Sequence, residues 1–246
     1  MGGFGELMRD RLAAAEAENA AVLDAVAGLL LDRVVRQDGL ILAAGAGHSI
    51  AMVNEAFYRA GGLACVRPLY RPDLFPLNGA PRSTSGERTP GLAAEVLAEV
   101  LAETAGHPHV MVIFSNSGVN PYPVELARHA RAAGLPVVAF TSRAAGRSAP
   151  RRAGAVLAEL ADHVVDTLVD PGDAAHPAAA PVTAPLSTLV NAYLWNLLLA
   201  RLHDLAGDLP LPLWRSANTA GGDEANASLF ERYAPEIPAL RPGEPA

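Results

Sequence analysis

The amino-acid sequence predicts an α/β protein, a three-layer αβα sandwich with a parallel sheet of about five strands and an N-terminal helical extension. Two observations predict this class. Short apolar runs typical of buried parallel strands alternate with segments of helical periodicity, and the connections between them are short. Two of these connections are Gly/Ser-rich loops that directly follow an apolar run. We therefore expect one large core with a ligand site at one edge of the sheet.

The N-terminal part of the chain begins with a helix. A broad apolar stripe at helical spacing predicts one long helix over residues 4–36. The apolar run 40–44 then predicts a buried strand, and residues 50–60 predict a helix that ends at two glycines. Residues 63–69 predict a second strand, which an arginine and a proline weaken.

The central part of the chain opens with a segment rich in proline and glycine, residues 70–90, for which we expect irregular structure with one helical turn. Residues 92–105 predict a helix whose glutamates recur at i,i+4 spacing on one face. The apolar run 110–114 is the clearest strand, and it leads directly into a Ser/Asn loop. A helix follows over residues 124–133, with Pro121 suited to its start.

The C-terminal part of the chain continues the alternation. The basic, proline-containing segment 143–153 and the segment 171–185 are predicted loops. The remaining predicted elements are strand 136–140, helix 155–161, strand 163–166 and helix 186–205.

These elements divide the chain into an N-terminal helical extension (1–37), an α/β domain (38–208) and a C-terminal tail (209–246) that folds back on the domain or on a partner subunit. The longest apolar stretch, residues 186–202, is interrupted by Asn and Arg, so we interpret it as a core helix and predict no contact with a membrane. The N-terminus carries charges and lacks the apolar segment of a signal peptide, which favours a cytoplasmic protein.

Composition excludes several classes of function. The formal net charge of −7 argues against nucleic acid as a partner. The 19 basic residues are all arginines, so a lysine Schiff base, pyridoxal chemistry and a Walker-type phosphate loop are excluded. The single cysteine, Cys65, forms no internal disulfide, and no Cys/His spacing indicates a metal site. We predict neither a cofactor nor a metal.

Two loops carry the candidate chemistry. Gly45-Ala46-Gly47-His48-Ser49 follows strand 40–44, and Ser115-Asn116-Ser117-Gly118 follows strand 110–114. The carboxyl ends of parallel strands share one edge of the sheet, where free amides and helix N-termini attract an anion. Each loop alone could simply be a helix cap. Together they predict a phosphate site built from neutral donors.

The competing interpretation of the first loop is a dinucleotide-binding fold. Ile50 replaces the third glycine of that fingerprint, and no acidic residue ends the second predicted strand to bind a ribose hydroxyl. The sequence therefore favours the phosphate site over the dinucleotide fold.

The two loops, with Thr141-Ser142 after a third strand, resemble the flavodoxin-like SIS (sugar isomerase) domain of phosphoheptose isomerase and N-acetylmuramic acid 6-phosphate etherase. The chain also resembles bacterial stand-alone SIS proteins over residues 55–62, 215–218 and 221–224, and in total over about residues 5–232. This resemblance implies a homodimer or homotetramer that binds a phosphorylated sugar, with sites that borrow residues from a neighbouring subunit.

The resemblance also implies site residues. The predicted phosphate ligands are Ser49, Ser115, Asn116, Ser117, Gly118 and Asn120, the last at a position where related isomerases often have a hydroxyl. The predicted contacts to the sugar are Gly47, Thr141, Ser142, Glu55 and Arg215.

The resemblance places Glu87 about where these families have a catalytic glutamate, and His48 lies beside the predicted phosphate. Proton transfer between adjacent sugar carbons needs such a base, so we predict aldose–ketose isomerisation through an enediol, or a related etherase or lyase reaction. Glu87 could instead be a surface residue paired with Arg88, and His48 could be structural. A non-catalytic phosphosugar sensor is the alternative function. The single N-terminal helix leaves no room for the DNA-binding domain that such regulators carry.

Overall fold

The computed structural model describes residues 3–104 and 106–242. A parallel five-stranded sheet lies at its centre, as the sequence predicts, in the order β2-β1-β3-β4-β5. The strands are β1 (Ile41–Gly45), β2 (Val66–Pro68), β3 (Val110–Phe114), β4 (Val137–Thr141) and β5 (His163–Asp166). Every residue of β1, β3 and β4 is buried, because helices cover both faces of a parallel sheet.

Helices flank the sheet in the chain order expected of an α/β sandwich. They are α1 (Phe4–Leu30), α2 (Ile50–Ala56), α3 (Ala80–Gly86), α4 (Leu92–Glu103), α5 (Pro121–Ala132), α6 (Arg143–Ser148), α7 (Leu157–Leu160), α8 (Ser187–Ala206) and α9 (Gly222–Tyr233). Helix α1 continues as a π-helix over Leu31–Arg36. The three-layer αβα prediction is confirmed. None of these helices is long and apolar enough to span a membrane.

Helix α1 belongs to the core. It packs along α8, and its buried Asn19 reaches the outer edge of β5. The Asn19 side chain donates from Nδ2 to the carbonyl oxygen of Asp166 (2.8 Å) and accepts the N–H of Asp166 at Oδ1 (2.7 Å). The Asn19 side chain thus makes the two hydrogen bonds to the Asp166 backbone that a neighbouring strand would otherwise make.

The C-terminal segment folds back on the same subunit at the opposite edge of the sheet. Residues 212–214 run antiparallel to residues 61–64, which lead into β2, and Trp214 exchanges backbone hydrogen bonds with Gly61 and Gly62 (2.8 and 3.0 Å). Trp214 and Phe230 of α9 then pack around Tyr58.

Several elements differ from the sequence prediction. The expected loop 143–153 begins with α6, since Ser142 caps it by accepting the N–H of Ala145 (3.0 Å). Residues 70–90 contain α3 together with two 3₁₀ turns, and residues 171–185 contain a hairpin of β6 (Ala174–His176) and β7 (Thr183–Pro185). The predicted helix 50–60 ends at Ala56. Ala105, predicted as the end of a helix, lies outside the described residues, as do the terminal residues 1–2 and 243–246.

Candidate functional site

The two Gly/Ser loops lie side by side where the strand order reverses. Strand β1 is followed in the chain by β2 on one side of it, whereas β3 pairs on its other side, so the connections diverge between β1 and β3. Ligands of such sheets bind in the crevice that this divergence opens. A cavity of about 310 Å³ occupies the crevice and is lined by both loops. Seven of the predicted site residues line this cavity: His48, Ser49, Glu87, Ser115, Asn116, Ser117 and Asn120.

The first loop turns sharply out of β1. Gly47 has φ +58, in the left-handed region that favours glycine, and begins a 3₁₀ turn. Among the described residues, no protein acceptor receives the N–H groups of Ala46, Gly47 and His48. Ser49 precedes α2, yet its side chain makes no capping hydrogen bond. The capping interpretation of Ser49 therefore fails, and its hydroxyl remains available to a ligand.

The second loop offers a longer row of donors. Within the described part of the chain, the five backbone N–H groups of residues 116–120 find no acceptor, and the same holds for the hydroxyls of Ser115 and Ser117. Gly118 and Val119 are nevertheless buried residues. Buried backbone N–H groups are almost always paired in folded proteins. Of these five residues, Asn116, Ser117 and Asn120 line the cavity, and unpaired N–H groups beside a cavity favour an anionic ligand.

Gly118 holds the second loop in place. Its φ is +60, and a Cβ atom there would lie 2.8 Å from Cβ of Leu157 and 3.0 Å from Oγ1 of Thr141. Its carbonyl oxygen accepts the N–H of Leu157 (2.8 Å). The loop thus rests directly on α7 and β4.

The N-terminus of α5 contributes fewer donors than the sequence suggests. Pro121 and Pro123 have no N–H group, and the N–H of Tyr122 donates to the carbonyl oxygen of Glu87 (3.1 Å). The loop amides therefore supply the donors that we expected from the helix terminus.

Glu87 lies against both loops. It follows α3, and its Oε2 lies 3.9 Å from the position that a Cβ of Gly47 would occupy. Burial raises the pKa of its carboxyl, opposed by a hydrogen bond from the Asn120 side chain and by the charges of Arg88 and Arg152. Arg88 therefore acts on Glu87 through its charge, and no salt bridge joins the two side chains in the described structure. Asn120, predicted as a phosphate ligand, also accepts a hydrogen bond from Nη1 of Arg152 at Oδ1 (3.0 Å).

Two predicted sugar contacts support the loops. The Thr141 hydroxyl donates to the carbonyl oxygen of Asn116 (3.1 Å), and the Ser142 hydroxyl donates to that of Val169 (2.6 Å) while capping α6. Oδ1 of Asn116 accepts from the Thr167 hydroxyl (3.2 Å). Thr141 and Ser142 are both buried, and neither lines the cavity within one subunit. Their contact with the sugar stays a prediction.

Glu55 and Arg215 lie away from this cavity. Glu55 forms an ion pair with Arg59 (3.0 Å) and accepts a hydrogen bond from Asn196. Arg215 is exposed, and its backbone is held by the side chain of Asn226. Within one subunit, the structure does not bring these two residues to the loops.

One wall of the cavity carries no recognisable signal in the sequence. Asp173, with φ +67, accepts from the N–H groups of Leu186 (3.0 Å) and Ser187 (2.7 Å) and from the Ser187 hydroxyl (2.6 Å), so it caps α8. Both Asp173 and Ser187 line the cavity. Because a hairpin separates the cap from its helix, no adjacent capping pattern marks it in the sequence. Within residues 3–104 and 106–242, no cluster of His, Cys, Asp or Glu is arranged to hold a metal ion.

The fold and cavity define a class: a parallel αβα protein whose candidate ligand site lies at the switch point between β1 and β3. The chain belongs to the SIS domain family, whose model matches residues 3–142. It is also a member of the UPF0309 proteins. That of Geobacillus thermodenitrificans is 35% identical over 219 residues, which cover 87% of each chain. That of Brucella canis is 36% identical over 236 residues, covering 95% of this chain and 93% of the relative.

Solved structures support the fold. The phosphoheptose isomerase of Neisseria gonorrhoeae superimposes with a TM-score of 0.53 at 18% identity, and the match covers 82% of this chain and 95% of that chain. At this identity the similarity concerns the fold.

Proposed function

We propose that the protein binds a phosphorylated sugar at the switch-point cavity and isomerises it between aldose and ketose forms in the cytoplasm. The observation that carries this proposal is the set of unpaired N–H groups in the second loop, where Asn116, Ser117 and Asn120 line the cavity. The hydroxyl-bearing residues Ser115 and Ser49 line the same cavity. A phosphate group accepts several hydrogen bonds at once, and uncharged N–H and hydroxyl donors at a loop can stabilise its negative charge without a lysine. Membership in the SIS family and the phosphoheptose isomerase fold support this proposal.

In the proposed reaction, the Glu87 carboxylate takes a proton from C2 of the open-chain aldose. The electron pair of the broken C–H bond forms the C1–C2 double bond of an enediol, while the carbonyl oxygen gains a proton. Glu87 then returns the proton to C1, and the hydroxyl on C2 loses its proton as the ketone forms. His48 faces the same cavity and carries the proton between the two oxygens.

The raised pKa of Glu87 suits this role. A base whose pKa lies closer to the working pH both accepts and returns a proton more readily. The predicted surface role of Glu87 is not supported by its position, because its carboxyl faces the cavity beside Gly47.

We also propose that the protein is a homodimer or homotetramer, with Glu55 and Arg215 contacting the ligand of a neighbouring subunit. The exposed apolar side chains of Tyr70 (57%) and Leu77 (88%), in the segment that leads to Glu87, support a subunit contact near the site. Light scattering after size exclusion gives the oligomeric state. A monomer that retains full turnover contradicts this part of the proposal.

The decisive experiment incubates the protein with hexose, heptose and amino-sugar 6-phosphates in deuterated water. Thermal shift reports binding, and NMR reports products. Deuterium entering C1 or C2 supports isomerisation, and cleavage of an ether or C–O bond supports a lyase or etherase. Binding without either refutes both enzymatic proposals and leaves the phosphosugar sensor.

A paired substitution tests the placement of the phosphate. Ser117→Ala removes a hydroxyl donor, and a hydrogen bond to a charged group contributes about 1.5–3 kcal/mol, so affinity should fall about tenfold or more. Ser228→Ala, an exposed serine on α9, is the control and should bind as the wild type does. Equal affinity of both variants would place the phosphate elsewhere.

A further inference from the structure

The switch-point cavity has two walls of different hydrogen-bonding character. The loop wall consists of the two Gly/Ser loops, and it offers donors: unpaired backbone N–H groups and serine hydroxyls whose protons are not used within the described residues. The α8 wall consists of the lining residues at the end of α6, before the β6–β7 hairpin and at the start of α8. Its polar side chains are those of Ser148, Asp173 and Ser187.

The polar side chains of the α8 wall offer acceptors to a ligand. The Ser187 hydroxyl donates its proton to Oδ2 of Asp173 (2.6 Å), and the Ser148 hydroxyl donates its proton to the carbonyl oxygen of Ala145 (3.1 Å). Because a hydroxyl has one proton, both oxygens keep only lone pairs for a ligand. The remaining residues of this wall have no polar side chain: Ala145, Ala149, Pro171 and Gly172.

Asp173 presents a fixed carboxylate oxygen with a free lone pair. Its Oδ1 accepts the N–H groups of Leu186 (3.0 Å) and Ser187 (2.7 Å). Within the described residues, Oδ2 accepts the Ser187 hydroxyl alone, so it has room for one more hydrogen bond. Rotation of the carboxyl group would break the cap of α8. The orientation of Oδ2 is therefore set before a ligand arrives.

The charges around the cavity are unbalanced for an anionic ligand. Glu87 and Asp173 line it, and a phosphate group brings a further charge of about −1.5 to −2. No arginine of the described part of the chain lines the cavity, since Arg152, which donates to Asn120, is exposed outside it. Among the lining side chains, only His48 can become a cation. A ligand that carries its own positive charge removes this imbalance.

We propose that the ligand is a phosphorylated sugar with a free, protonated amino group: the loop wall binds the phosphate, and Asp173 together with the Ser187 oxygen binds the ammonium group. This inference rests on the proposed function and names its substrate class. An ammonium group has three donors and no acceptor, which matches the acceptors of the α8 wall.

The chemistry of the site limits where and in which form the amine is carried. The amino group lies beyond C2, because the proposed isomerisation needs oxygen atoms on both C1 and C2. An N-acetylated amine is disfavoured, since it is uncharged and brings a carbonyl acceptor to a wall of acceptors. A hydroxyl at the same carbon donates one hydrogen bond but leaves the charge of Asp173 unbalanced.

The test compares ligands that differ only in this group. Isothermal titration calorimetry at about pH 6.5, where such an amine is protonated, measures the binding of 3-amino-3-deoxyglucose 6-phosphate and 4-amino-4-deoxyglucose 6-phosphate. Each is compared with glucose 6-phosphate and with its own N-acetylated form. The comparison on the wild-type protein depends on no substitution.

Two variants then assign the preference to one carboxylate. Asp173→Asn removes the charge but keeps an oxygen that can accept the N–H groups of Leu186 and Ser187, and circular dichroism checks that the fold is retained. Asp170→Asn is the matched control for loss of one negative charge. Asp170 lies three residues earlier, is exposed, pairs with Arg11 and does not line this cavity.

We expect one of the two amino sugars to bind the wild type about tenfold or more tightly than glucose 6-phosphate, the effect of a hydrogen bond between charged groups. Asp173→Asn should bring this ratio close to one and leave the affinity for glucose 6-phosphate within about twofold. Asp170→Asn should leave the ratio unchanged, and the N-acetylated forms should show no preference.

Equal wild-type affinity for the amino sugars and for glucose 6-phosphate overturns the inference. A preference that survives Asp173→Asn, or that Asp170→Asn abolishes equally, also overturns it. Isomerisation of neutral sugar phosphates without an amino-sugar preference overturns this inference and leaves the proposed function intact. A preferred amino sugar that binds without deuterium entering C1 or C2 overturns the isomerase function and supports this inference. If none of these phosphates binds, both fail.

Discussion

Replacing Gly118 with alanine should destabilise the protein severely and weaken its site. A non-glycine residue in the left-handed region costs about 1–2 kcal/mol. The added Cβ would also lie 2.8 Å from Cβ of Leu157 and 3.0 Å from Oγ1 of Thr141, and such overpacking costs about 1–3 kcal/mol. The total is about 3 kcal/mol, or a decrease in Tm of about 6–12 °C for a chain of this size.

Gly134→Ala provides the matched control. Gly134 has φ +75, but no heavy atom lies within 4 Å of its added Cβ, so only the backbone strain remains, about 1 kcal/mol. Thermal and urea unfolding followed by circular dichroism measure both variants. Equal losses of stability in the two variants would refute the claim that the second loop rests tightly on α7. Phosphosugar affinity should fall only in Gly118→Ala.

Three further predictions concern titration and packing. Burial raises the pKa of Glu87, so its neutral form stabilises the fold at low pH, and this contribution is lost as pH rises through the folded pKa. Glu87→Gln should therefore match wild-type stability near pH 4 and exceed it at pH 8. If urea unfolding shows the same difference between the two proteins at both pH values, the predicted direction of this pH dependence is wrong. Burial also raises the pKa of Cys65 to about 12, so a thiol reagent at pH 8 should react at least about 100-fold faster after unfolding than before. Asn19→Ala leaves the buried backbone of Asp166 without its partner and should cost about 2–3 kcal/mol in urea unfolding, whereas a loss below about 0.5 kcal/mol would show that water replaces the side chain.

The parallel sheet and the proximity of the two Gly/Ser loops could be predicted from the sequence alone. Strand β3 begins and ends at the predicted residues because a fully apolar run between a helix and a Ser/Asn turn has few alternatives. The loops come together because parallel strands share one carboxyl edge. The pairing of strands depends on contacts between residues far apart in the chain. The divergence of the connections between β1 and β3 therefore appears only in the structure.

Other parts of the site depend on contacts that no local pattern encodes. The cap of α8 by Asp173 spans a hairpin, and the link from Arg152 to Asn120 joins segments 32 residues apart. Similarly, the N–H groups of residues 116–120 are unpaired because of the direction in which the backbone presents them. The amino-acid composition does not reveal that direction. The predicted contacts of Glu55 and Arg215 with the ligand stay predictions.

The two edges of the sheet are closed by opposite ends of the chain. Asn19 of α1 covers β5, and residues 212–214 cover the approach to β2. Open edges pair with strands of other molecules, which leads to aggregation. During synthesis the cover for β5 emerges before β5 itself, whereas the cover for β2 emerges after all five strands. A nascent chain therefore carries one exposed edge until residues 212–214 leave the ribosome, and truncation before Leu213 makes that exposure permanent.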